Sequence, residues 1–131
     1  MSGHLLDSHV WFWFLIGSER LAPGLRAVLE HESEQCWLSP ISVWEIGLSA
    51  RRGRLEIAGD YRRWVGRAQQ AFSLREAAMN REVALRSLEI ELPHKDPADH
   101  FLAATAPAYD LMLLTVDEKL TTARWLSTRS E

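Results

Sequence analysis

The sequence contains a single cysteine, Cys36, among its 131 residues. One cysteine excludes an internal disulfide and a zinc site built from cysteines, so the fold must be held together by its core. A chain of this length buries roughly two-thirds of the surface that it exposes when unfolded, which is enough for such a core. The low cysteine content fits a reducing compartment, and we expect the protein in the cytoplasm.

Long apolar runs and an excess of positive charge are absent as well. No window holds about 18 uncharged apolar residues, so we expect no membrane span. The chain starts without a basic segment and Asp7 interrupts its first apolar stretch, so we expect no signal peptide. Fifteen Lys and Arg against eighteen Asp and Glu give a net charge of −3. Bulk charge therefore does not hold this protein on nucleic acid, and any action on nucleic acid needs a local site.

Several common catalytic motifs do not occur in the chain. The patterns Gly-x-Gly-x-x-Gly and Gly-Lys-Ser/Thr, which build nucleotide-binding loops, are both missing. The pattern Gly-x-Ser-x-Gly, which presents a nucleophilic serine in one class of hydrolases, is missing too. Any chemistry must therefore come from residues that are distant in the sequence and adjacent in the fold.

The residues that are present predict one α/β domain over residues 1–131. Hydrophobic residues make up 47% of the chain and charged residues 25%, which is typical of a globular protein. Short apolar runs predict strands at Leu5-Leu6, Cys36 to Leu38, residues 71–75 and Met112 to Val116. Helix signals lie between them, near residues 10–16, 21–32, 39–53, 60–68, 80–88 and from 96 onward, although the first run also fits a strand. This alternation predicts a central, mostly parallel sheet with helices on both faces.

Four acidic residues stand where a predicted strand ends or the next helix begins. Asp7 follows the first strand and Asp117 follows the last. Glu45 lies in the first turns of the helix after the second strand, and Asp99 lies in the first turn of the helix that Asp96-Pro97 opens. Ligands of parallel α/β sheets bind outside the carboxyl ends of the strands. We therefore expect these four carboxylates to gather in one crevice.

A crevice with four carboxylates favours a bound cation. Two unit charges about 4 Å apart repel each other by about 4 kcal/mol at an effective dielectric of 20. Either some carboxylates take up protons or a cation binds, and oxygen ligands of this kind select Mg²⁺ or Mn²⁺. Such an ion activates water and stabilises the leaving oxygen in phosphodiester hydrolysis, so the residues predict a metal-dependent hydrolase.

Helix capping is the alternative interpretation of the same residues. Asp7, Asp96 and Asp117 each suit an N-cap, and an anion in a first helical turn, as at Asp99, suits the helix dipole. The segment Ser42-Val43-Trp44-Glu45 fits the Ser-x-x-Glu capping box. Each residue taken alone fits this interpretation, but the strand-end placement of the four together favours a metal site.

Four sequence blocks carry a resemblance to a known family. The blocks are Leu5 to His9, Ser39 to Ile46, Lys95 to Phe101 and Leu114 to Glu118. In order and spacing, from about residue 4 to 120, they resemble the signature blocks of PIN-domain proteins. The similarity is greatest to the VapC-type toxins of bacterial toxin–antitoxin pairs. The resemblance implies a three-layer α/β/α PIN-like domain.

The resemblance also implies a metal-dependent endoribonuclease that uses Mg²⁺ or Mn²⁺. Asp96 matches a further acidic position with a less direct role. Ser8 and Thr115 match positions that often hold a hydroxyl beside the site. The positions that match the family's catalytic, metal-binding carboxylates are Asp7, Glu45, Asp99 and Asp117.

The partners implied by the resemblance are an RNA substrate, a cognate antitoxin bound in a groove between helices, and a second copy of the chain. The sequence departs from the family at His100, where Arg is usual, so a contact to substrate or structure is in doubt there. Pro107 falls late in the helix that begins at Pro97, where we expect a kink or an early end. Neither departure touches the carboxylates.

Three further groups of residues have more than one interpretation. Arg51, Arg52 and Arg54 either bind RNA phosphates or complement the dipole at the end of a helix. The aromatic cluster from Trp11 to Phe14 is expected to serve partly as core and partly as a protein interface. A histidine–carboxylate metal site is a weaker hypothesis, and its candidates are His94, Asp96, Asp99 and His100, with His4 and His9.

Two other functions are alternatives to an RNA-cutting toxin. A PIN scaffold that binds RNA or a partner protein without cutting would lack an acidic residue, and none of the four is missing. A DNA nuclease would use the same metal chemistry, although so short a chain has little room for the clamps that grip a duplex.

Overall fold

The computed structural model describes residues 3–131, in which five short strands form one sheet. The strands are β1 (His4–Leu6), β2 (Cys36–Leu38), β3 (Arg75–Glu76), β4 (Met112–Leu114) and β5 (Thr128–Arg129). Their order across the sheet is β3-β2-β1-β4-β5. Every neighbouring pair is parallel, which confirms the predicted sheet.

Seven α-helices in these residues connect and flank the strands. They are α1 (Ser8–Ile16), α2 (Pro23–His31), α3 (Pro40–Arg51), α4 (Tyr61–Ala71), α5 (Arg81–Glu89), α6 (Pro97–Ala108) and α7 (Glu118–Thr121). The apolar run over residues 10–16, which also fitted a strand, is helical. None of the helices in the described part of the chain has the length and apolarity needed to cross a membrane.

Local sequence signals account for the ends of the helices that carry the site. Ser39 caps α3, since its hydroxyl accepts a hydrogen bond from the N–H of Ile41 at 3.1 Å. Pro40 follows at the first helical position, where its fixed φ fits and its missing N–H costs nothing. Helix α6, which carries Asp99, ends at Ala108, directly after Pro107. Of the two expectations for Pro107, the helix end is the one observed.

Two apolar cores lie on opposite faces of the sheet, because successive side chains of a strand point to opposite sides. Leu6 and Leu114 belong to one core, whereas Leu5 and Leu113 belong to the other, and all four are fully buried. Helices α1 to α4 cover the first core with Val10, Leu25, Ile46 and Ala68, and helices α6 and α7 cover the second with Leu102, Ala103 and Leu120. This confirms the predicted α/β/α layers.

The carboxyl ends of β1, β2 and β4 meet at one edge of the sheet. Helices α1 and α3 begin at this edge because they follow β1 and β2 directly. Helix α6 ends next to the amino end of β4, at the opposite edge of the sheet, so its first turn lies at the edge where the carboxyl ends meet. The central strand β1 has β2 on one side and β4 on the other. The chain first adds β2 and β3 on one side of β1 and then adds β4 and β5 on the other side, so the strand order reverses at β1. Folds of this kind bind ligands outside such a point.

Candidate metal centre

One cleft at the carboxyl edge of the sheet contains every acidic side chain that the sequence predicted for the site. Its volume is about 350 Å³. The acidic residues that line it are Asp7, Glu45, Asp96, Asp99 and Asp117. They come from four different segments, each of which connects one strand to the next strand along the chain. The cleft therefore depends on the assembled sheet rather than on any single segment.

Asp7 is held rigidly at the junction of β1 and α1. It is 7% exposed, its Oδ1 accepts the N–H of Ser8 at 2.6 Å, and its Oδ2 accepts the hydroxyl of Thr115 at 2.6 Å. The Thr115 hydroxyl in turn accepts the N–H of Asp117 at 3.1 Å. Thr115 therefore ties together the ends of β1 and β4. Each carboxylate oxygen of Asp7 keeps a second lone pair with which it can bind a cation.

Glu45 reaches the cleft from α3 and is held by Ser8. The Ser8 hydroxyl donates to Oε1 of Glu45 at 2.5 Å. The hydroxyl oxygens of Ser8 and Ser42 lie 2.9 Å apart, and because Ser8 gives its one proton to Glu45, Ser42 donates to Ser8. The capping-box interpretation of Ser42 and Glu45 is wrong, since α3 already begins at Pro40 with Ser39 as its cap.

Asp99 lies in the first turn of α6 and is as buried as Asp7, with 7% of its surface exposed. Its Oδ2 is 2.6 Å from Nε2 of His94, a residue of the loop that precedes α6. This contact reaches back over five positions of the chain, so it fixes the loop against the helix.

The capping interpretation is correct for three of the acidic residues, and these residues line the cleft as well. Besides Asp7, Asp96 caps α6 by accepting the N–H of Ala98 at 3.1 Å. Asp117 caps α7 by accepting the N–H of Lys119 at 2.9 Å. Each of these two caps uses one carboxylate oxygen, so the second oxygen of each residue is available to a ligand. Capping and metal binding are therefore compatible here.

Burial raises the pKa values of Asp7, Glu45 and Asp99 above their usual range. Hydrogen bonds to these carboxylates act in the opposite direction. Neighbouring negative charges add to the rise: Asp99 acts on Asp7, Asp7 and Asp96 act on Glu45, and Asp96 and Asp117 act on Asp99. Carboxylates that raise one another's pKa in this way are stabilised as anions by a bound cation.

The donor set fits a hard divalent cation, because carboxylate oxygens are the ligands that Mg²⁺ and Mn²⁺ prefer. Within residues 3–131, one group of three candidate ligands has all its ligand atoms within 4.8 Å of one another: His94, Asp96 and Asp99. Three of the residues named in the weaker histidine hypothesis therefore lie together, and a histidine ligand stays a prediction. His100 has its Nδ1 3.0 Å from the carbonyl oxygen of Asp96, and His4 lies at the amino end of β1, away from the cleft.

A model of the PIN domain family matches residues 4–126 of the chain. The chain belongs to the PIN domain family. It is 31% identical over 127 residues to Ribonuclease VapC22 of Mycobacterium tuberculosis (strain ATCC 25618 / H37Rv), a match that covers 95% of this chain and 94% of that protein. The likeness confirms the predicted relationship to VapC-type proteins.

Solved structures share the fold of this PIN domain. DNA-bound VapBC from Salmonella typhimurium superimposes with a TM-score of 0.75 at 16% identity, covering 98% of both chains. A toxin–antitoxin complex from Klebsiella pneumoniae superimposes with a TM-score of 0.69 at 20% identity, covering 98% of this chain and 97% of that one. These superpositions confirm the α/β/α fold class.

The basic residues of the cleft differ from those that the sequence suggested. Arg51, Arg52 and Arg54 are exposed at and beyond the end of α3 and are not among the residues that line the acidic cleft. RNA binding by these three stays a prediction. Arg20 and Lys119 line the cleft of the PIN domain instead. The sequence could have indicated Lys119 as a cleft residue, because it stands two residues after the acidic cap Asp117. Arg20 lies in the loop after α1, and no sequence pattern marks it.

The aromatic cluster of α1 serves mainly the interior of the PIN domain. Trp11 and Phe12 are buried, with 3% and 4% of their surfaces exposed. Phe14 packs against Phe72, with ring centroids 4.6 Å apart. Trp13 is partly buried and lines the acidic cleft. The expected use of this cluster as core is therefore observed, and its use as an interface stays a prediction.

Proposed function

We propose that this protein is a metal-dependent endoribonuclease and the toxin of a toxin–antitoxin pair. The observation that carries the proposal is the gathering of five carboxylates in one cleft of a VapC-type PIN domain. The presence of every expected acidic residue favours an enzyme over a scaffold that binds without cutting. The residues that would hold one or two Mg²⁺ or Mn²⁺ ions are Asp7, Glu45, Asp99 and Asp117, with Asp96 as a further candidate.

When bound, such an ion would supply Lewis acidity to the scissile phosphate and to the attacking water. The chain's own residues provide the rigidity that this chemistry needs. Thr115 holds Asp7 and Ser8 holds Glu45 through short hydrogen bonds, so neither carboxylate has to reorient when RNA arrives.

The basic side chains of the cleft suit a phosphodiester substrate. Arg20 and Lys119 are exposed and line the same cleft as the carboxylates, so they add positive charge to it. Once the carboxylates are neutralised by cations, these two side chains attract a nucleic-acid backbone. The volume of about 350 Å³ is that of a small-molecule site. We therefore propose that a single strand enters the cleft.

Cleavage of RNA by antitoxin-free protein tests the proposal. Total cellular RNA is expected to yield discrete fragments with Mg²⁺ or Mn²⁺ and to stay intact with EDTA, because the carboxylates require a cation. Matched RNA and DNA strands compete in the same assay, and RNA is expected to be cut first. Preference for DNA would instead indicate a DNA nuclease. Folded protein that binds Mn²⁺ and cuts neither strand would indicate a binding scaffold.

A groove along α3 is the surface that we propose for the antitoxin. It has a volume of about 1140 Å³ and lies between α3 and the loop that leads to α4. Trp44 of α3 lines it and is 55% exposed, and Gly47 allows the ring of Tyr61 to lie directly on the same helix. Trp44 and Glu45 are consecutive residues of α3, so an apolar antitoxin segment in this groove would bind the helix that supplies Glu45 to the cleft.

Trp44→Ala is expected to weaken antitoxin binding at least about 10-fold and to leave RNA cleavage by the free toxin unchanged, because exposed tryptophans in apolar grooves often dominate interface energies. Titration calorimetry with the antitoxin measures the dissociation constant. The matched control is Trp125→Ala, because Trp125 is 47% exposed and lines neither the groove nor the cleft. Equal antitoxin affinity of Trp44→Ala and wild type would place the antitoxin elsewhere.

Three further points belong to the same proposal. Residues 1–131 form a single PIN domain, the protein acts in the cytoplasm where its RNA substrates are, and two copies of the chain form a homodimer. Sedimentation of the toxin with and without antitoxin measures the number of copies.

A further inference from the structure

His94 contacts the acidic cleft through one well-defined hydrogen bond. Its Nε2 lies 2.6 Å from Oδ2 of Asp99, and the two side chains are only 17% and 10% exposed. The contact joins the loop before α6 to the first turn of that helix. The proposed function assigns no role to His94, although it touches one of the four principal carboxylates.

The other ring nitrogen indicates which atom of His94 carries the proton. Among the described residues, Nδ1 of His94 is buried and has no hydrogen-bond partner. A buried N–H without an acceptor is rarer than a buried acceptor without a donor, so the lone pair belongs on Nδ1 and the proton on Nε2. Ionised Asp99 can only accept hydrogen bonds, which agrees with a donating Nε2–H.

The same arrangement distinguishes a supporting histidine from a metal ligand. A histidine that binds a metal through Nε2 needs a lone pair there, and it almost always donates its Nδ1–H to a second group. His94 has no such group at Nδ1 in the described residues. With its proton on Nε2 and its Nδ1 buried, His94 fits the role of a hydrogen-bond donor to the ligand Asp99 better than that of a third ligand through Nε2.

The loop that carries His94 is stiff. Pro93 precedes His94 and Pro97 opens α6, so φ is fixed on both sides of the histidine. The residues before the two prolines, Leu92 and Asp96, are restricted as well. A side chain on a segment with so few backbone conformations loses little entropy when it holds its partner. The imidazole is thus in place before any cation binds.

We propose that His94 is a positioning residue of the metal centre. Its Nε2–H holds Oδ2 of Asp99, which keeps both lone pairs of Oδ1 free for the cation and prevents the carboxylate from turning. This inference rests on the proposed function, because it assigns Asp99 to a metal. Groups that orient a metal ligand typically change metal affinity 10–100-fold when they are removed, and a loss of that size is expected here.

Mn²⁺ affinity of the purified chain, measured by the EPR signal of the free ion, tests the proposal. The dissociation constant is expected to rise about 10–100-fold in His94→Ala. In His94→Gln the dissociation constant is expected to fall most of the way back to the wild-type value, because the side-chain N–H of Gln can donate to Asp99. His100→Ala is the matched control, because its ring lies 6.2 Å from that of His94 and its Nδ1 contacts a backbone carbonyl. Its Mn²⁺ affinity should equal that of wild type.

Two outcomes would overturn the role of His94 while leaving the metal centre intact. The first is wild-type Mn²⁺ affinity in His94→Ala, since a merely structural role would lower the melting temperature without changing the dissociation constant. The second is a ¹⁴N coupling to bound Mn²⁺ in pulsed EPR that disappears in His94→Gln, which would make His94 a ligand. Absence of Mn²⁺ binding by the wild type would overturn the proposed metal centre and the inference together.

Discussion

Asp99→Asn is expected to reduce RNA cleavage at least about 100-fold while the protein stays folded, because loss of a metal ligand should cost more than loss of a group that only orients one. Asn removes one negative charge from the carboxylates that share the cation. It keeps the shape of the side chain and an oxygen that can accept the Nε2–H of His94. The substitution also removes a buried charge, so the metal-free variant should melt no lower than wild type.

Asp60→Asn provides the matched control for this substitution. Asp60 caps α4 by accepting the N–H of Arg63 at 3.1 Å, is exposed, and lies outside the cleft. Asn caps helices about as well as Asp, so neither the fold nor the cleavage rate should change. Initial rates on a labelled RNA at saturating Mn²⁺ and thermal unfolding curves give both quantities. A wild-type rate for Asp99→Asn would show that the site is assigned wrongly.

Two of the acidic residues of the cleft could be located from the sequence because two local signals coincide at each of them. Asp7 and Asp117 both follow an apolar run and both cap the helix that comes next. A parallel sheet brings such positions to one edge whatever the order of its strands. The order itself, with β1 between β2 and β4, depends on long-range pairing, and no local pattern reveals it.

The contacts that hold the carboxylates could not be predicted. The hydroxyl of Thr115 and the carboxylate of Asp7 are 108 positions apart in the chain, and those of Ser8 and Glu45 are 37 positions apart. Such contacts depend on strand register and on side-chain rotamers, which propensity and periodicity do not encode. The resemblance marked Ser8 and Thr115 as neighbours of the site, and the structure adds which carboxylate each one holds.

Asp7→Asn is expected to stabilise the metal-free protein at pH 8, although it should impair metal binding. Burial raises the pKa of Asp7, and the charge of Asp99 adds to the rise. The stability that such a group contributes is complete below its unfolded pKa, near 3.8, and is lost as the pH rises through the folded value. For each unit by which folding raises the pKa, the free energy of unfolding at high pH falls by about 1.4 kcal/mol. Asn does not ionise, so the variant avoids this loss.

The pKa values of Glu45 and Asp99 are raised as well. Together with Asp7, these carboxyl groups therefore make the metal-free wild type less stable as the pH rises above about 4. Mn²⁺ reverses this loss because it binds the ionised carboxylates of the folded state. At a free concentration 100 times the dissociation constant, it should stabilise the fold by about 2.7 kcal/mol. The gain is expected to be larger at pH 8 than at pH 5, where protons compete with the metal for the same oxygens.

Urea unfolding at pH 5 and pH 8, with EDTA and with Mn²⁺, measures both effects, with Asp60→Asn again as the control. With EDTA, Asp7→Asn should unfold at higher urea than wild type at pH 8, and the difference should shrink at pH 5. With Mn²⁺ at pH 8 the order should reverse, because the wild type gains the metal and the variant does not. A variant less stable than wild type at pH 8 with EDTA would mean that the hydrogen bonds of Asp7 with Ser8 and Thr115 outweigh the cost of burying its charge.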